Sequence, residues 1–125
     1  SRWAFAITYA NMLTESQGCA VLRESFLAAG YNIADNVPFA EGGVSFNVDG
    51  YDPVARVGFE FITTEAGDRS ELSQEMIAQV EQRIAKGELF ILLVDEYDVE
   101  TADELRLHAE RFLDMVAARR RGRKE

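Results

Sequence analysis

The chain has 125 residues, of which 47% are hydrophobic and 28% are charged, and its formal net charge is −9. This length suits one globular domain, and the composition excludes a disordered chain. No apolar run approaches the roughly 20 residues that a membrane-spanning helix needs. The sequence therefore predicts a single soluble domain without a membrane span.

The charge is distributed unevenly along the chain. The segment 119–125 contains five of the 13 basic residues and one of the 22 acidic residues, so residues 1–118 carry a net charge of −13. We therefore expect a single domain over residues 1–118 and a flexible basic tail over 119–125. An acidic body repels a phosphate backbone, which makes nucleic acid an unfavourable partner. A protein partner is favoured instead, with a homodimer as an alternative.

Cysteine usage and the amino-terminal segment bear on the cellular compartment. Cys19 is the only cysteine, so an internal disulfide is excluded and the reducing cytoplasm is the preferred location. The apolar stretch within residues 1–10 is too short for a signal peptide. A signal peptide cleaved before Ser1 is the alternative, because the chain begins without Met.

The amino-terminal part of the sequence predicts a strand and then a helix. Residues 3–9 alternate between large and small side chains, which is typical of a strand. Thr14 and Gln17 have the spacing of a capping box, in which each side chain bonds the other residue's backbone N–H. They predict a helix over residues 15–29.

The centre of the sequence predicts a β-hairpin. A short strand over 31–34 precedes it, and Pro38 excludes the hydrogen bonding of a central strand at its own position. Residues 44–63 then form two alternating runs around a turn of Asp, Gly and Pro residues, which predicts the hairpin. Phe59 and Phe61 share one face of its second strand and are predicted to lie in the core.

The carboxy-terminal part predicts a helix, a strand and a second helix. Apolar residues that recur every four positions predict a helix that begins at Asp68 or Ser70 and ends at Gly87. The continuous apolar run over 89–94 is typical of a strand that is covered on both faces. The final helix has an apolar stripe that consists of Leu105, Ala109, Phe112 and Val116.

Together these elements predict an α/β fold. We expect a mixed sheet of four or five strands with a central β-hairpin, flanked by three helices. A hairpin followed by a helix and a fully apolar strand implies a crossover connection, so that helices cover the sheet.

The acidic residues around the hairpin are the principal candidates for a functional site. Asp49 and Asp52 flank the turn, and Glu60 lies within the second strand. Carboxylate oxygens are suitable ligands for Mg²⁺, so these three residues form a candidate metal site. In the alternative interpretation the aspartates only form the turn, and Glu60 is either exposed or paired with a cation such as Arg23 or Arg83.

The order of these elements and carboxylates resembles the core of the PD-(D/E)XK nucleases over residues 14–95. Asp49 is similar to the aspartate of the family motif and Glu60 is similar to its glutamate. Glu15 or Glu24 is similar to the carboxylate that some members carry on the first helix. The resemblance implies a Mg²⁺-dependent nuclease or phosphodiesterase, in which the metal activates water and stabilises the leaving oxygen.

Ile62 stands where the family has its lysine, two residues after Glu60. Without this cation, water activation and the neutralisation of developing charge both lose a contributor. We therefore expect a non-catalytic α/β domain without a cofactor, which acts through protein–protein contacts on a nuclease-like fold with an incomplete active site. The alternative function is a divalent-metal-dependent nuclease or phosphodiesterase that uses Asp49, Asp52 and Glu60.

Other residues that could carry chemistry are few. His108 is the only histidine, and Cys19 lies on the apolar face of the first predicted helix, so we expect both to be structural. Residues 95–104 contain six carboxylates directly after the apolar strand. A turn and a helix N-terminus explain four of them, and the binding of a cation or a basic partner is the alternative.

Overall fold

A computed structural model describes residues 13–124 of the chain, without the side chains of residues 69, 70, 123 and 124. Its helices are α1 (Glu15–Ala28), α2 (Asp68–Glu71), α3 (Gln74–Ala85) and α4 (Ala102–Lys124). Its strands are β1 (Ala34–Glu41), β2 (Val44–Asp52), β3 (Val57–Ile62) and β4 (Phe90–Asp95). The strand predicted over residues 3–9 lies outside the described residues. Across the described residues, no helix combines the length and the apolar character that crossing a membrane requires.

The four strands form one mixed sheet in the order β1-β2-β3-β4. The first three strands pair antiparallel in sequence, whereas β3 and β4 pair parallel. A parallel pair needs a long connection, and here α2 and α3 provide it. The predicted fold class, a mixed sheet with a central hairpin and flanking helices, is confirmed.

Two apolar clusters lie on opposite faces of the sheet, since Phe61 and Ile62 are adjacent in β3 and belong to different clusters. Helices α1 and α4 cover the face that contains Phe59 and Phe61. Helix α3 covers the other face, where Val80 belongs to the same cluster as Ile62. The predicted burial of Phe59 and Phe61 is confirmed. In strand β4, Phe90 belongs to the first cluster and Ile91 belongs to the second. Both faces of β4 are therefore covered, as predicted.

Strand β1 is longer than the predicted strand over 31–34 and continues through Pro38. Within the described sheet, β1 pairs only with β2 and is therefore an edge strand. A residue without an N–H is tolerated at an edge, because the outer side of the strand has no partner strand to receive a hydrogen bond.

The single helix predicted between Asp68 and Gly87 is two helices, α2 and α3. Leu72 lies between them in an extended conformation, with φ of −100° and ψ of 94°, and its side chain is buried against α3 and the sheet. Burial of this residue interrupts the helix. Ser73, and neither Asp68 nor Ser70, then caps the longer helix by accepting a hydrogen bond from a backbone N–H.

The end of α4 differs from the predicted flexible tail over 119–125, because the helix continues to Lys124. Arg119 donates hydrogen bonds of 2.6 and 2.9 Å to the last two carbonyls of α3, where the helix dipole favours a positive charge. Arg120 donates to a carbonyl in the turn before β3. Both guanidinium groups lie 5.4 Å from the centre of the Phe90 ring. Arg119 and Arg120 therefore belong to the packed domain.

Candidate functional site

Strands β2 and β3 separate beyond Gly50 and Phe59, the last pair in their register. Beyond this pair, hydrogen bonds to side-chain carboxylates replace the hydrogen bonds between the two backbones. The N–H of Asp49 donates to Oε1 of Glu60 at 2.8 Å, and the N–H of Phe61 donates to Oδ2 of Asp49 at 2.8 Å. Each carboxylate thus holds the backbone of the opposite strand, and the fold brings the two predicted ligands into one site.

Strand β2 is irregular at the same point. Val48 and Tyr51 lie three residues apart but belong to the same apolar cluster, so the two-residue alternation is broken between them. On the neighbouring strand, Asn36 lies opposite Asp49 and has a φ of 50°, in the left-handed region. Such irregularities change the direction of a side chain. Here the carboxylate of Asp49 faces β3 and α1.

Helix α1 approaches the sheet closely because residue 18 is glycine. A Cβ atom at Gly18 would collide with the ring of Phe61 unless that ring or the helix moved. One turn earlier, Glu15 reaches the sheet, where Oε2 accepts a hydrogen bond of 2.8 Å from the hydroxyl of Thr63. The thiol of Cys19 donates to Oε1 of Glu15 at 3.5 Å.

Helix α2 contributes a carboxylate that the sequence suggested only as a helix cap. Oδ2 of Asp68 accepts a hydrogen bond of 3.0 Å from the N–H of Thr63, and Asp68 is 5% exposed. Oxygens of Asp49, Glu60 and Asp68 all lie within 4.8 Å of one another. We call these three residues the acidic cluster. The clue in the sequence was the position of Asp68 just beyond the carboxyl end of β3, where polar residues of an α/β sheet often form a site.

A second group of ligand atoms overlaps with the acidic cluster. Atoms of Glu15, Cys19 and Asp49 also lie within 4.8 Å of one another. Asp49 therefore belongs to both groups, and Glu15 is placed beside the acidic cluster by α1. The resemblance to the nucleases offered two helix carboxylates, and Glu15 is the one that lies here, whereas Glu24 is exposed and belongs to neither group.

Asp52 lies outside both groups, although it was predicted as a metal ligand. Its carboxylate accepts hydrogen bonds from the N–H groups of Asn32, Val54 and Ala55, at 2.9, 3.0 and 3.0 Å. These bonds lower the pKa of Asp52, and the bond from Ala55 has the largest effect. The structure therefore gives Asp52 the role of a turn residue and separates it from the other two candidates.

Among the described side chains, no cation contacts the acidic cluster. Arg23, which was considered as a partner of Glu60, forms an ion pair of 3.0 Å with Asp35 instead. Arg83, the other residue considered, lies 3.5 Å from Glu41. The side chain at the position of the family lysine, Ile62, is uncharged and is buried in the apolar cluster that α3 covers.

Burial raises the pKa of three carboxyl groups in this region. Burial, followed by the charge of Asp49, raises the pKa of Glu60 to about 10. Burial also raises the pKa of Glu15 to about 7, although the hydrogen bond from Thr63 opposes this shift. The pKa of Asp49 is raised by burial as well. In the absence of a metal ion, the site therefore retains protons at neutral pH, and a divalent cation would replace them.

A cleft of about 280 Å³ leads from the surface to this site. Its lining consists of Glu15, Ser16, Cys19, Asp35, Asn36 and Asp49. Burial raises the pKa of the Cys19 thiol, which agrees with the prediction that this cysteine is not a nucleophile. The cleft therefore offers solvent access to carboxylates and not to a reactive thiolate.

The remaining sequence candidates lie elsewhere. His108 is exposed on α4 and belongs to neither group of ligand atoms. In the acidic run over 95–104, the carboxylate of Asp95 accepts the N–H of Tyr97 at 2.9 Å, and that of Glu104 accepts the N–H of Glu100 at 3.3 Å. These two bonds are local and stabilise a turn and the start of α4, whereas Glu96 of the same run accepts the N–H of Thr64 at 3.1 Å, next to Thr63.

A comparison of the chain with models of protein families, with curated proteins and with solved structures finds no match. The resemblance to the PD-(D/E)XK nucleases therefore stays a prediction. The chemistry of the acidic cluster and its surroundings is the basis for assigning a function.

Proposed function

We propose that this chain is a divalent-cation-binding α/β domain, in which Asp49, Glu60 and Asp68 hold Mg²⁺ or Mn²⁺. The supporting observation is that oxygens of the three carboxylates lie within 4.8 Å of one another, while no described cationic side chain contacts them. Carboxylates that are buried together without a cation must retain protons or bind a metal ion, since their mutual repulsion is otherwise uncompensated.

The donor set favours a small ion with octahedral coordination. In each residue of the acidic cluster, one carboxylate oxygen already accepts a backbone N–H. The other oxygen of each residue would serve as the metal ligand, once the hydrogen bond between the carboxyl groups of Asp49 and Glu60 has lost its proton. Single oxygens from three carboxylates suit Mg²⁺ or Mn²⁺, which keep several water ligands, whereas Ca²⁺ takes about six to eight oxygens and often binds a carboxylate through both.

The proposed function does not include efficient hydrolysis of phosphodiesters. The lysine that the nuclease family uses is replaced by Ile62, whose side chain has no charge and is buried in the apolar cluster that α3 covers. We propose instead that a bound ion stabilises the junction of β2, β3 and α2, and that the domain acts through a protein partner. The net charge of −13 over residues 1–118 supports a protein rather than a nucleic acid.

A second candidate function, metal-dependent hydrolysis of a phosphodiester, is favoured by one observation. Glu15 lines the cleft, and burial raises its pKa to about 7. A carboxylate with this pKa could accept a proton from a water molecule near neutral pH, which is the task of a general base. In this alternative, Glu15 would supply part of the function that the family assigns to lysine.

Calorimetric titration with Mn²⁺ at pH 8 tests the proposed site. We expect the wild type to bind the ion and Asp49→Asn to lose binding, because the substitution removes a ligand. Asp52→Asn is the matched control, since it changes a neighbouring aspartate that belongs to neither group of ligand atoms and accepts the N–H groups of Asn32, Val54 and Ala55, and it should retain affinity. Folded wild-type protein that does not bind Mn²⁺, or equal losses in both variants, would contradict the proposal.

Hydrolysis is tested separately, with single- and double-stranded DNA and RNA in the presence of Mn²⁺. We expect no cleavage by the wild type beyond that seen with Glu60→Gln. Cleavage that both Glu60→Gln and Glu15→Gln abolish would establish the second candidate function and displace the non-catalytic one.

A further inference from the structure

Thr63 is fully buried just beyond the end of β3 and contacts two of the carboxylates in this region. Its hydroxyl donates to Glu15 at 2.8 Å, and its N–H donates to Asp68 at 3.0 Å. The same hydroxyl accepts a hydrogen bond of 3.1 Å from the N–H of Ala66. A single residue thus connects α1, the end of β3 and the turn that leads to α2.

These bonds fix the direction of the hydroxyl. A hydroxyl has one proton to donate, and the N–H of Ala66 occupies one of its acceptor positions, so the proton is directed at Glu15. The bond from the N–H of Ala66 also fixes the turn between β3 and Asp68. This turn places the carboxylate of Asp68 where it accepts the N–H of Thr63. The positions of both carboxylates relative to the sheet therefore depend on this side chain.

We infer that Thr63 is a positioning residue of the metal site, which fixes Asp68 as a ligand and Glu15 beside the ion. This inference rests on the proposed function, since it requires an ion held by the acidic cluster. Partners that orient metal ligands typically contribute about 10–100-fold to metal affinity. A ligand set held rigidly also discriminates for Mg²⁺ and Mn²⁺, because Ca²⁺ accepts a looser and more variable arrangement.

The test compares Thr63→Val, which removes the hydroxyl at nearly constant volume, with Thr63→Ser, which keeps it. Thr101→Val is the matched control, because the hydroxyl of Thr101 accepts the N–H of Glu104 at the start of α4 and bonds none of the carboxylates of the acidic cluster. Affinities for Mn²⁺ and Ca²⁺ are measured by calorimetry at pH 8, together with the melting temperature of each variant. Thr63→Ala replaces the valine variant if that protein does not fold.

We expect Thr63→Val to lose about 10–100-fold in Mn²⁺ affinity and less in Ca²⁺ affinity. Thr63→Ser should retain most of the affinity for Mn²⁺, and Thr101→Val should change only the melting temperature. A valine variant that binds Mn²⁺ as the wild type does would overturn the inference and leave the proposed function intact, as would equal losses in the serine and valine variants. Wild-type protein that binds no Mn²⁺ would overturn the proposed function, and the inference with it.

Discussion

Two glutamates of this domain lie in opposite electrostatic environments. The side chain of Glu41, at the end of β1, is 44% exposed and lies 2.9 Å from Arg56 and 3.5 Å from Arg83. Glu60 is 1% exposed, and no cation of the described side chains contacts it. The hydrogen bond with Arg56 lowers the pKa of Glu41, whereas burial raises the pKa of Glu60 to about 10.

The difference shows how a carboxylate depends on its surroundings. Glu41 is neutralised by the protein itself, and an exposed ion pair of this kind contributes little to stability. Among the described side chains Glu60 has no such compensation, and its charge is then balanced by a proton or a metal ion from solution. Only the second environment makes the state of the site depend on pH and on the ions present.

The same bend in the chain produces both environments. A straight strand of nine residues, the length of β2, spans roughly 30 Å. Glu41 pairs with the first residue of β2, yet its carboxylate contacts Arg56, which lies beyond the last residue of β2. The ribbon of β1 and β2 must therefore bend back, and its irregular positions are Asn36 and Asp49. The bend brings Glu41, at the end of β1, into contact with Arg56, and it also directs the side chain of Asp49 toward β3.

The largest expected effect concerns the apolar support of the Glu60 region. Phe59 is buried, and its ring centre lies 5.2 Å from that of Phe26 on α1. Phe59→Ala should lower the free energy of unfolding by about 3–5 kcal/mol, because it leaves a cavity between β3 and α1. Urea denaturation measures the change, with Val54→Ala at an exposed position as the control. A loss below about 1 kcal/mol would mean that this face of β3 does not carry the packing.

The next effect sharpens the contrast between the two glutamates through pH. The folded-state pKa of Glu60 is raised from 4.5 to about 10, so metal-free folded protein keeps a proton that the unfolded chain releases. This contribution to stability is complete below pH 4.5 and is lost as pH rises toward 10, by at most about 1.4 kcal/mol per pH unit. The free energy of unfolding of the wild type should therefore fall from pH 5 to pH 9.

Glu60→Gln removes this dependence, so its stability relative to the wild type should increase with pH. Glu41→Gln is the matched control, and the pH dependence that it removes has the opposite sign. The pKa of Glu41 is lowered in the folded protein, so its contribution to stability is present above the unfolded pKa and is lost as pH falls. Urea denaturation without divalent ions measures both, from pH 5 to pH 9 for Glu60→Gln and from pH 5 down to pH 3 for Glu41→Gln, since the contribution of Glu41 changes only below its unfolded pKa of 4.5. Parallel pH profiles of wild type and Glu60→Gln would show that Glu60 is ionised in the folded protein.

The smallest expected effects concern the basic end of α4. Truncation after Arg120 should leave the melting temperature nearly unchanged, whereas truncation after Ala118 should lower it by a few degrees, about the size of a 1 kcal/mol loss. The reason is that Arg119 and Arg120 bond backbone carbonyls and lie over Phe90. Neither truncation should change Mn²⁺ affinity. A change in Mn²⁺ affinity after removal of residues 121–125 would show that a basic residue of this segment is a cation partner of the acidic cluster. Glu60 would then be compensated by the protein, as Glu41 is.

Local patterns in the sequence determined much of the fold. The capping box of Thr14 and Gln17 is formed as predicted, and Phe59 and Phe61 are buried on one face of the predicted hairpin. The apolar run near 89–94 is a strand that is covered on both faces. These features depend on residues a few positions apart, through periodicity and short-range hydrogen bonds, so a single sequence contains them.

The tertiary structure decided what packs around each charge and each helix end. Leu72 interrupts a helix because it is buried, and Arg119 continues one because it meets the end of α3. The sequence proposed Asp49, Asp52 and Glu60 as metal ligands and offered Glu15 or Glu24 from the first helix. In the structure three backbone N–H groups occupy Asp52, while Glu15 and Asp68 lie beside Asp49. The physical reason is that burial and hydrogen bonding by distant segments control the state of a carboxylate, and spacing along the chain does not encode them.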